Sequence, residues 1–359
     1  MYLEIPNMSQ RLIRFLVLAT VAVAAITVKF PVQARAPITI KLATFAPSNS
    51  AWHKALLDMG DAWTKTTDGR VTLRVYPGGT LGTEASTVKM MSPAVGELQA
   101  ALLLPPGLSR IDNAIDVFGM PFFIESDEEM RAVFAALRPM MTQRIEAEGY
   151  KVLNWGNAGW VQLFSKNDIR TLADLKAVKL YTTEGDDKSV QWYKDNGFQP
   201  IPLSFNDMVG GLKRGMIEAA PSPAYGASML QIFRDAPYLL DVKLAPLLGA
   251  TVLTNAAWNE IDAGDRPKIL AAAATLEQRF LSEASKLDAT AVSTMVARGL
   301  KVTTLTPAAT AEFREAAEAL VGSMRGTMIP ADVYDAALKA RDAFRASRRA
   351  SGQASRDDR

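Results

Sequence analysis

Chemistry at a catalytic centre needs a nucleophile, an acid–base pair or a set of metal ligands, and this sequence offers few of them. His53 is the only histidine in 359 residues, and there is no cysteine. That excludes disulfides, thiolate catalysis, cysteine metal sites and any site needing two imidazoles. No G-x-S-x-G elbow, P-loop or H-E-x-x-H occurs. Gly210-Gly211-Leu212-Lys213-Arg214-Gly215 ends a helical pattern instead of opening one, the wrong place for cradling phosphate. His53 falls one turn into the first expected helix, where it reads as a surface or packing residue. Glu184, Asp186 and Asp187 read as a helix N-terminus whose carboxylates cap free amides, with a hard-cation site as the alternative. These patterns assign no catalytic residue, cofactor or metal ligand.

Hydrophobic alternation marks strands at 38–45 (ITIKLATF) and 71–76 (VTLRVY), each followed by a proline-containing turn. A helix is expected from about Trp52 to Thr66, another over 84–91, and a buried strand at 98–104 (LQAALLL). Ser126 and Glu129 form a capping box opening a helix over 127–137. Thr171 caps the approach to a strand at 178–181, and a helix follows. PIPLSF at 200–205 reads as a turn, then come a helix at 206–214 and a strand at 216–220. Ala-rich helical patterns at 266–300 and 307–346 read as braces, and the polar tail 347–359 as disordered. Strands alternating with helices predict an α/β fold, a mostly parallel sheet with helices on both faces.

The length and the 48% hydrophobic content can fill a sizeable core, expected as two lobes. Residues 1–34 have the form of an export signal: Arg11 and Arg14, an apolar run over 15–28, and Val32-Gln33-Ala34 before a cut after Ala34. Without them the chain has 37 basic and 37 acidic residues and no net charge, which argues against nucleic acid as a partner. No later stretch is apolar for the ~20 residues that a membrane span needs.

The order and spacing of three segments carry a resemblance: 75–84 (VYPGGTLGTE), 117–126 (VFGMPFFIES) and the run 169–223. Together they resemble the DctP-type solute-binding proteins of TRAP transporters, the periplasmic receptors of tripartite, ion-driven uptake systems. The likeness extends over 38–345. It implies a periplasmic-binding-protein fold with two α/β lobes, a ligand cleft between them and C-terminal bracing helices. Lobe I is then expected at 35–158 plus 248–287, and lobe II at 159–247 plus 288–346. The hinge is expected near 156–159 and 247–251.

In that family an arginine after a D-L-K-G-x-K motif clamps the carboxylate of the ligand, a geometry suited to guanidinium. Here the motif reads Asp174-Leu175-Lys176-Ala177-Val178-Lys179, and the arginine position falls on Tyr181. A second arginine position, after Gly159-Trp160, is Val161. The asparagine of a Q-E-N-P turn aligns with Ser222, a polar residue ending the first strand with Phe45, and an acidic or polar contact with Leu104. Glu84 and Phe205 are retained, and Trp160 and Tyr225 are further rings expected at the pocket. The replacements run from charged and amide groups to aromatic, aliphatic and hydroxyl ones. A buried carboxylate without a cation costs several kcal/mol, so the expected ligand has a larger apolar body than a simple dicarboxylate. Any carboxylate would fall to helix N-terminal amides near Ser204 or Thr182.

The resemblance implies a periplasmic receptor, not an enzyme. It would close around an organic acid or an apolar or aromatic compound and deliver it to TRAP membrane permease subunits. No cofactor, nucleic acid or stable membrane insertion is implied. A ligand sensor docking on a signalling protein is the alternative, and a periplasmic enzyme using Glu84 a third reading.

Overall fold

Residues 36–350, with Tyr2 and Gly352, are described by a computed structural model. The export signal and its cut after Ala34 lie, Tyr2 apart, outside the described residues. The strands are β1 (Ile38–Thr44), β2 (Val71–Tyr76), β3 (Ala100–Leu103), β4 (Tyr150–Ser165), β5 (Lys179–Thr183), β6 (Gln199–Leu203), β7 (Ala219–Pro223), β8 (Tyr238–Thr254) and β9 (Lys301–Thr303). They form one sheet in the order β2-β1-β3-β8-β4-β7-β5-β6, with β9 beside β8. Pairing is parallel within β2-β1-β3 and within β7-β5-β6. It turns antiparallel wherever β4 or β8 meets β3, β7 or the other.

Those two strands have 16 and 17 residues, about 50 Å of extended chain, so both run through the two ends of the sheet. Their register slips at three places, between Val152 and Asn154, between Asn157 and Trp160, and between Val161 and Leu163. A bulge leaves ladder amides without a cross-strand partner. Two of them are taken by carboxylates of the helix Arg266–Val296: Trp155 N–H donates to Glu277 at 3.0 Å and Trp160 N–H to Asp288 at 3.0 Å. Glu277 is also ion-paired to Arg138 at 2.6 Å. Gly159 has φ +111°, and any β-carbon there would overlap the Asp288 carboxylate. Glycine is therefore what lets the helix grip the strand.

The same 31-residue helix, about 46 Å long, serves two cores. Its first half, with Ile269, Ala273, Leu276 and Phe280, packs with Ile40, Leu42, Leu56 and Trp63. Its end, with Ala291 and Met295, packs with Phe164, Met208, Leu212 and Phe233. On the other face, the helix Asp127–Ala147 buries Met130, Phe134, Leu137 and Met141 against Trp155 and Val252.

Five local expectations change. The segment QPIPL is strand β6 rather than a turn, because it lies at the sheet edge, where Pro200 and Pro202 need no outward N–H. The helix expected to stop at Leu137 continues through Pro139 to Ala147; Ala135, whose carbonyl the proline leaves unbonded, is exposed to water. The pattern over 307–346 splits into helices Pro307–Met324 and Ala331–Ala350, broken at Gly326 (φ +72°) and Pro330. The last helix carries Val333 and Ala337 into the core of Phe134 and Trp155, so it packs with the first end of the sheet and not with the second. It also runs through Ala350, past the start of the expected polar tail at Ser347.

Asn154 and Thr251 face each other across β4 and β8, both fully buried, and Asn154 Oδ1 and Thr251 Oγ1 have no hydrogen-bond partner. An orphaned hydroxyl adds nothing to stability, whereas the Gly159 contact is obligatory. Thr251→Val should leave stability unchanged or raise it slightly, while Gly159→Ala should lower it by about 2–3 kcal/mol in urea unfolding. Equal effects would contradict this account of the crossing.

Candidate functional site

Two adjoining cavities lie where the β2-β1-β3 end of the sheet faces the β7-β5-β6 end. The first, of about 90 Å³, is walled by Thr44, Phe45, Trp52, Leu104, Phe205 and Ser222, and none of its lining residues is ionisable. Part of its floor is Gly249 of β8; a β-carbon there would lie 2.5 Å from the Leu103 carbonyl oxygen. The second, of about 610 Å³, shares Phe45, Leu104 and Phe205 with the first and adds Glu84, Asp116 and Tyr181.

The shared wall is built locally. Thr44 Oγ1 accepts the Ala46 N–H at 3.1 Å, fixing the turn that presents Phe45 at the end of β1. Ser204 caps the helix Phe205–Arg214 by accepting the Asp207 N–H at 3.2 Å, which sets Phe205 as the first helical residue. The two rings meet edge to face, centroids 5.1 Å apart at 87°, a contact worth about 0.5–1.5 kcal/mol beyond its area. Hydrogen bonds join the two ends around it. Asn206 Nδ2 donates to the Gly79 carbonyl at 3.0 Å, Ala51 N–H to the Tyr225 hydroxyl at 2.8 Å, and Arg110 to the Gly185 carbonyl at 2.7 Å. Lys188 Nζ donates to the Thr327 carbonyl at 3.0 Å.

The larger cavity is acidic. Glu84, Asp116, Glu184, Asp186 and Asp187 line it, against Arg110 and Lys188. Glu84 caps the short helix Pro105–Leu108, accepting N–H groups of Leu104 at 2.9 Å and Gly107 at 2.5 Å. Burial nevertheless pushes its carboxyl up to about 8. Burial, with Asp186 and Asp112 nearby, takes Asp116 up to about 7 against the hydroxyl of Ser109. Asp186 caps the helix Asp187–Asp195 through Ser189 N–H at 3.2 Å, the capping role expected of that segment. Among the described residues no group of three His, Asp or Glu could hold a metal ion.

Of the residues singled out in the sequence, Phe45, Leu104 and Phe205 form the shared wall, Ser222 lines the apolar cavity, and Tyr181 and Glu84 line the acidic one. Trp160, Val161 and Tyr225 line neither. The Trp160 indole N–H donates to Asp127 at 2.8 Å and its ring is covered by Lys243, so it is a buried anchor of β4. Val161 is held in the ladder opposite Pro223 and Ala245. Tyr225 packs edge-on to Trp52 at 4.9 Å and uses its hydroxyl as a clasp. Ser204 caps a helix as expected, but Thr182 is mid-strand, its buried hydroxyl unpaired. Trp52, Phe280, Arg110 and Asp116 are wall residues missed in the sequence. Only the helix pattern at Trp52 hinted at any of them.

The raised carboxyls have a stability consequence. Glu84 (about 8), Asp116 (about 7) and Asp288 (about 6, raised chiefly by burial) keep protons in the folded state that the unfolded chain releases near pH 4. Their contribution is complete below pH 4 and is lost as pH rises through 6 to 8. Asp265, lowered to about 2 mainly by its hydrogen bond with Arg70, contributes stability throughout that window and loses it only as pH falls through about 2, so it adds no slope there. The melting midpoint should therefore fall between pH 5 and 8.5, and Glu84→Gln should flatten the upper part of that fall. A midpoint that climbs over the window would contradict the assignment.

Among known proteins, a family model for bacterial extracellular solute-binding protein, family 7 (DctP) matches residues 42–326. The ectoine/5-hydroxyectoine-binding periplasmic protein UehA of Ruegeria pomeroyi is 23% identical over 308 residues, 82% of this chain and 90% of that protein. A solute-binding protein of Sulfitobacter is 22% identical over 245 residues, 68% of this chain and 74% of its own. The same fold occurs in a TRAP periplasmic solute-binding protein of Ralstonia eutropha with bound (S)-2-acetolactate. Its TM-score is 0.78 and its identity 21%, over 85% of this chain and 99% of that one. A counterpart from Sulfurospirillum deleyianum with bound succinate has TM-score 0.76 and 19% identity over 84% and 98%. Among the described residues no helix is long and apolar enough to cross a membrane. The chain belongs to the DctP family of extracytoplasmic solute-binding proteins, bacterial extracellular solute-binding protein family 7.

Proposed function

We propose that this protein is the solute receptor of a TRAP-type transporter, closing around a small organic molecule and handing it to membrane permease subunits. The observation that carries the reading is the pair of cavities between the two ends of the sheet, joined through Phe45, Leu104 and Phe205. One relative named above binds ectoine and 5-hydroxyectoine, and neighbours in fold hold acetolactate or succinate. Here the arginine positions carry Tyr181 and Val161, which favours a solute with a larger apolar body than a simple dicarboxylate. We further propose export with a cut after Ala34.

Two lobes follow from this reading. Lobe I takes 35–158 and 248–287, joined by 320–350, whose Leu320, Met324 and Ile329 share the core of Phe118 and Phe134; lobe II takes 159–247 and 288–319. The hinge lies in β4 at 156–159 and in β8 at 247–251, where the register slips and glycines face each other (Gly156 and Gly249). Solute touching both lobes stabilises the closed state more than the open one, and only that difference shifts the population.

A thermal-shift screen of refolded, solute-free protein tests the reading. A ligand at 100 times its Kd adds ~2.7 kcal/mol, enough for several degrees. The compounds that stabilise should be apolar-bodied; stabilisation by succinate alone would overturn the ligand class. For any such hit, Asn206→Ala removes the bond to Gly79 across the cleft and should weaken binding by roughly 2- to 10-fold in calorimetry. Unchanged affinity would mean that this bond plays no part in closure.

A further inference from the structure

We propose that the solute carries no negative charge: it is a compact, uncharged apolar molecule seated in the smaller cavity against Phe45, Trp52 and Phe205. This inference rests on the receptor reading and narrows it to one charge class.

The smaller cavity contains no ionisable side chain, so a carboxylate there would lose its hydration without gaining a cation. Its polar side chains are Ser222, which donates to the Pro223 carbonyl at 3.0 Å, Thr44, which accepts the Ala46 N–H at 3.1 Å, and Asn157, which accepts the Gly159 N–H at 2.9 Å; none brings a positive charge to offset a carboxylate. An anionic end placed instead in the adjoining cavity meets five carboxyl side chains and two bases. Both bases are bonded across the cleft to backbone carbonyls, Arg110 to Gly185 and Lys188 to Thr327. An incoming carboxylate would have to break those bonds and with them the closure. The geometry thus disfavours an anion from either side. The volume points to a compact body: about 90 Å³ is less than the ~150 Å³ of a hydrocarbon cavity that holds benzene, which suits a short branched chain.

Four probes of matched size separate the charge classes: 3-methylbutanamide (neutral), 3-methylbutanoate (anionic), 3-methylbutylamine (cationic) and succinate. Binding to solute-free protein is followed by calorimetry and by tryptophan fluorescence, since Trp52 lines the cavity. The amide should bind at least tenfold more tightly than either carboxylate. Trp52→Phe should abolish most of the fluorescence change while the heat of binding persists. A carboxylate binding as tightly as the amide overturns the charge assignment but leaves the receptor reading standing. An amine binding tightest overturns it also, in favour of a cation drawn to the acidic cavity. Amide binding whose fluorescence change survives Trp52→Phe overturns the placement in the smaller cavity. If none of the four binds although other compounds in the screen do, the size and charge class is wrong. If no compound of any class binds, the receptor reading falls with it.

Discussion

Everything in this molecule hangs on two strands long enough to belong to both ends of the sheet, β4 and β8, and on how their irregular pairing is repaired. A regular ladder would need no help, but slipped register leaves amides that must find acceptors or cost about 1–3 kcal/mol each. The helix Arg266–Val296 supplies them through Glu277 and Asp288, three turns apart, to Trp155 and Trp160. Because Asp288 also accepts the Tyr225 N–H at 2.8 Å, the carboxylate that repairs β4 positions the residue whose hydroxyl clasps Ala51. The crossing and the clasp around the cleft are thus one network.

The cleft follows from that arrangement. Irregular strands at the crossing free space that a regular sheet would fill, and the glycine floor keeps it free. The end of β1 contributes one ring and the start of a helix from the other end of the sheet contributes its partner. The wall at which they meet divides an uncharged cavity from an acidic one. Charge is therefore segregated: the groups with perturbed protonation, Glu84 and Asp116, sit on one side of the aromatic pair and none on the other. A carboxyl held largely protonated by burial repels less than an ionised one, so the acidic cavity is kept compatible with closure near neutral pH.

Much of this was legible in the sequence where local signals were unopposed. Strand Val71–Tyr76 and helix Glu84–Met91 appear with the boundaries that alternation and capping predict. The α/β class and the family were legible too, from the order of motifs. Failures came where tertiary context overrode a local cue. Proline in QPIPL signals a turn only if the strand is interior, and Pro139 signals a helix end only if its freed carbonyl is buried. At the site, position along a strand does not reveal whether a side chain reaches the cavity. Trp160 and Val161 follow the family spacing, yet the bulge before Trp160 turns its ring into the core towards Asp127. Arg110 and Asp116 had no local signal, since only the fold brings the 3-10 helix Asn113–Gly119 opposite the loop before Asp187.

The central claim is that the space between Phe45, Trp52 and Phe205 is where solute is held. A crystal structure of the protein purified with its solute retained tests it most directly. The account predicts ligand density in the uncharged cavity, touching residues from both ends of the sheet, with the Arg110 and Lys188 clasps intact. Density confined to the acidic cavity, with a carboxylate bonded to Arg110 or Lys188 in place of Gly185 or Thr327, would contradict it.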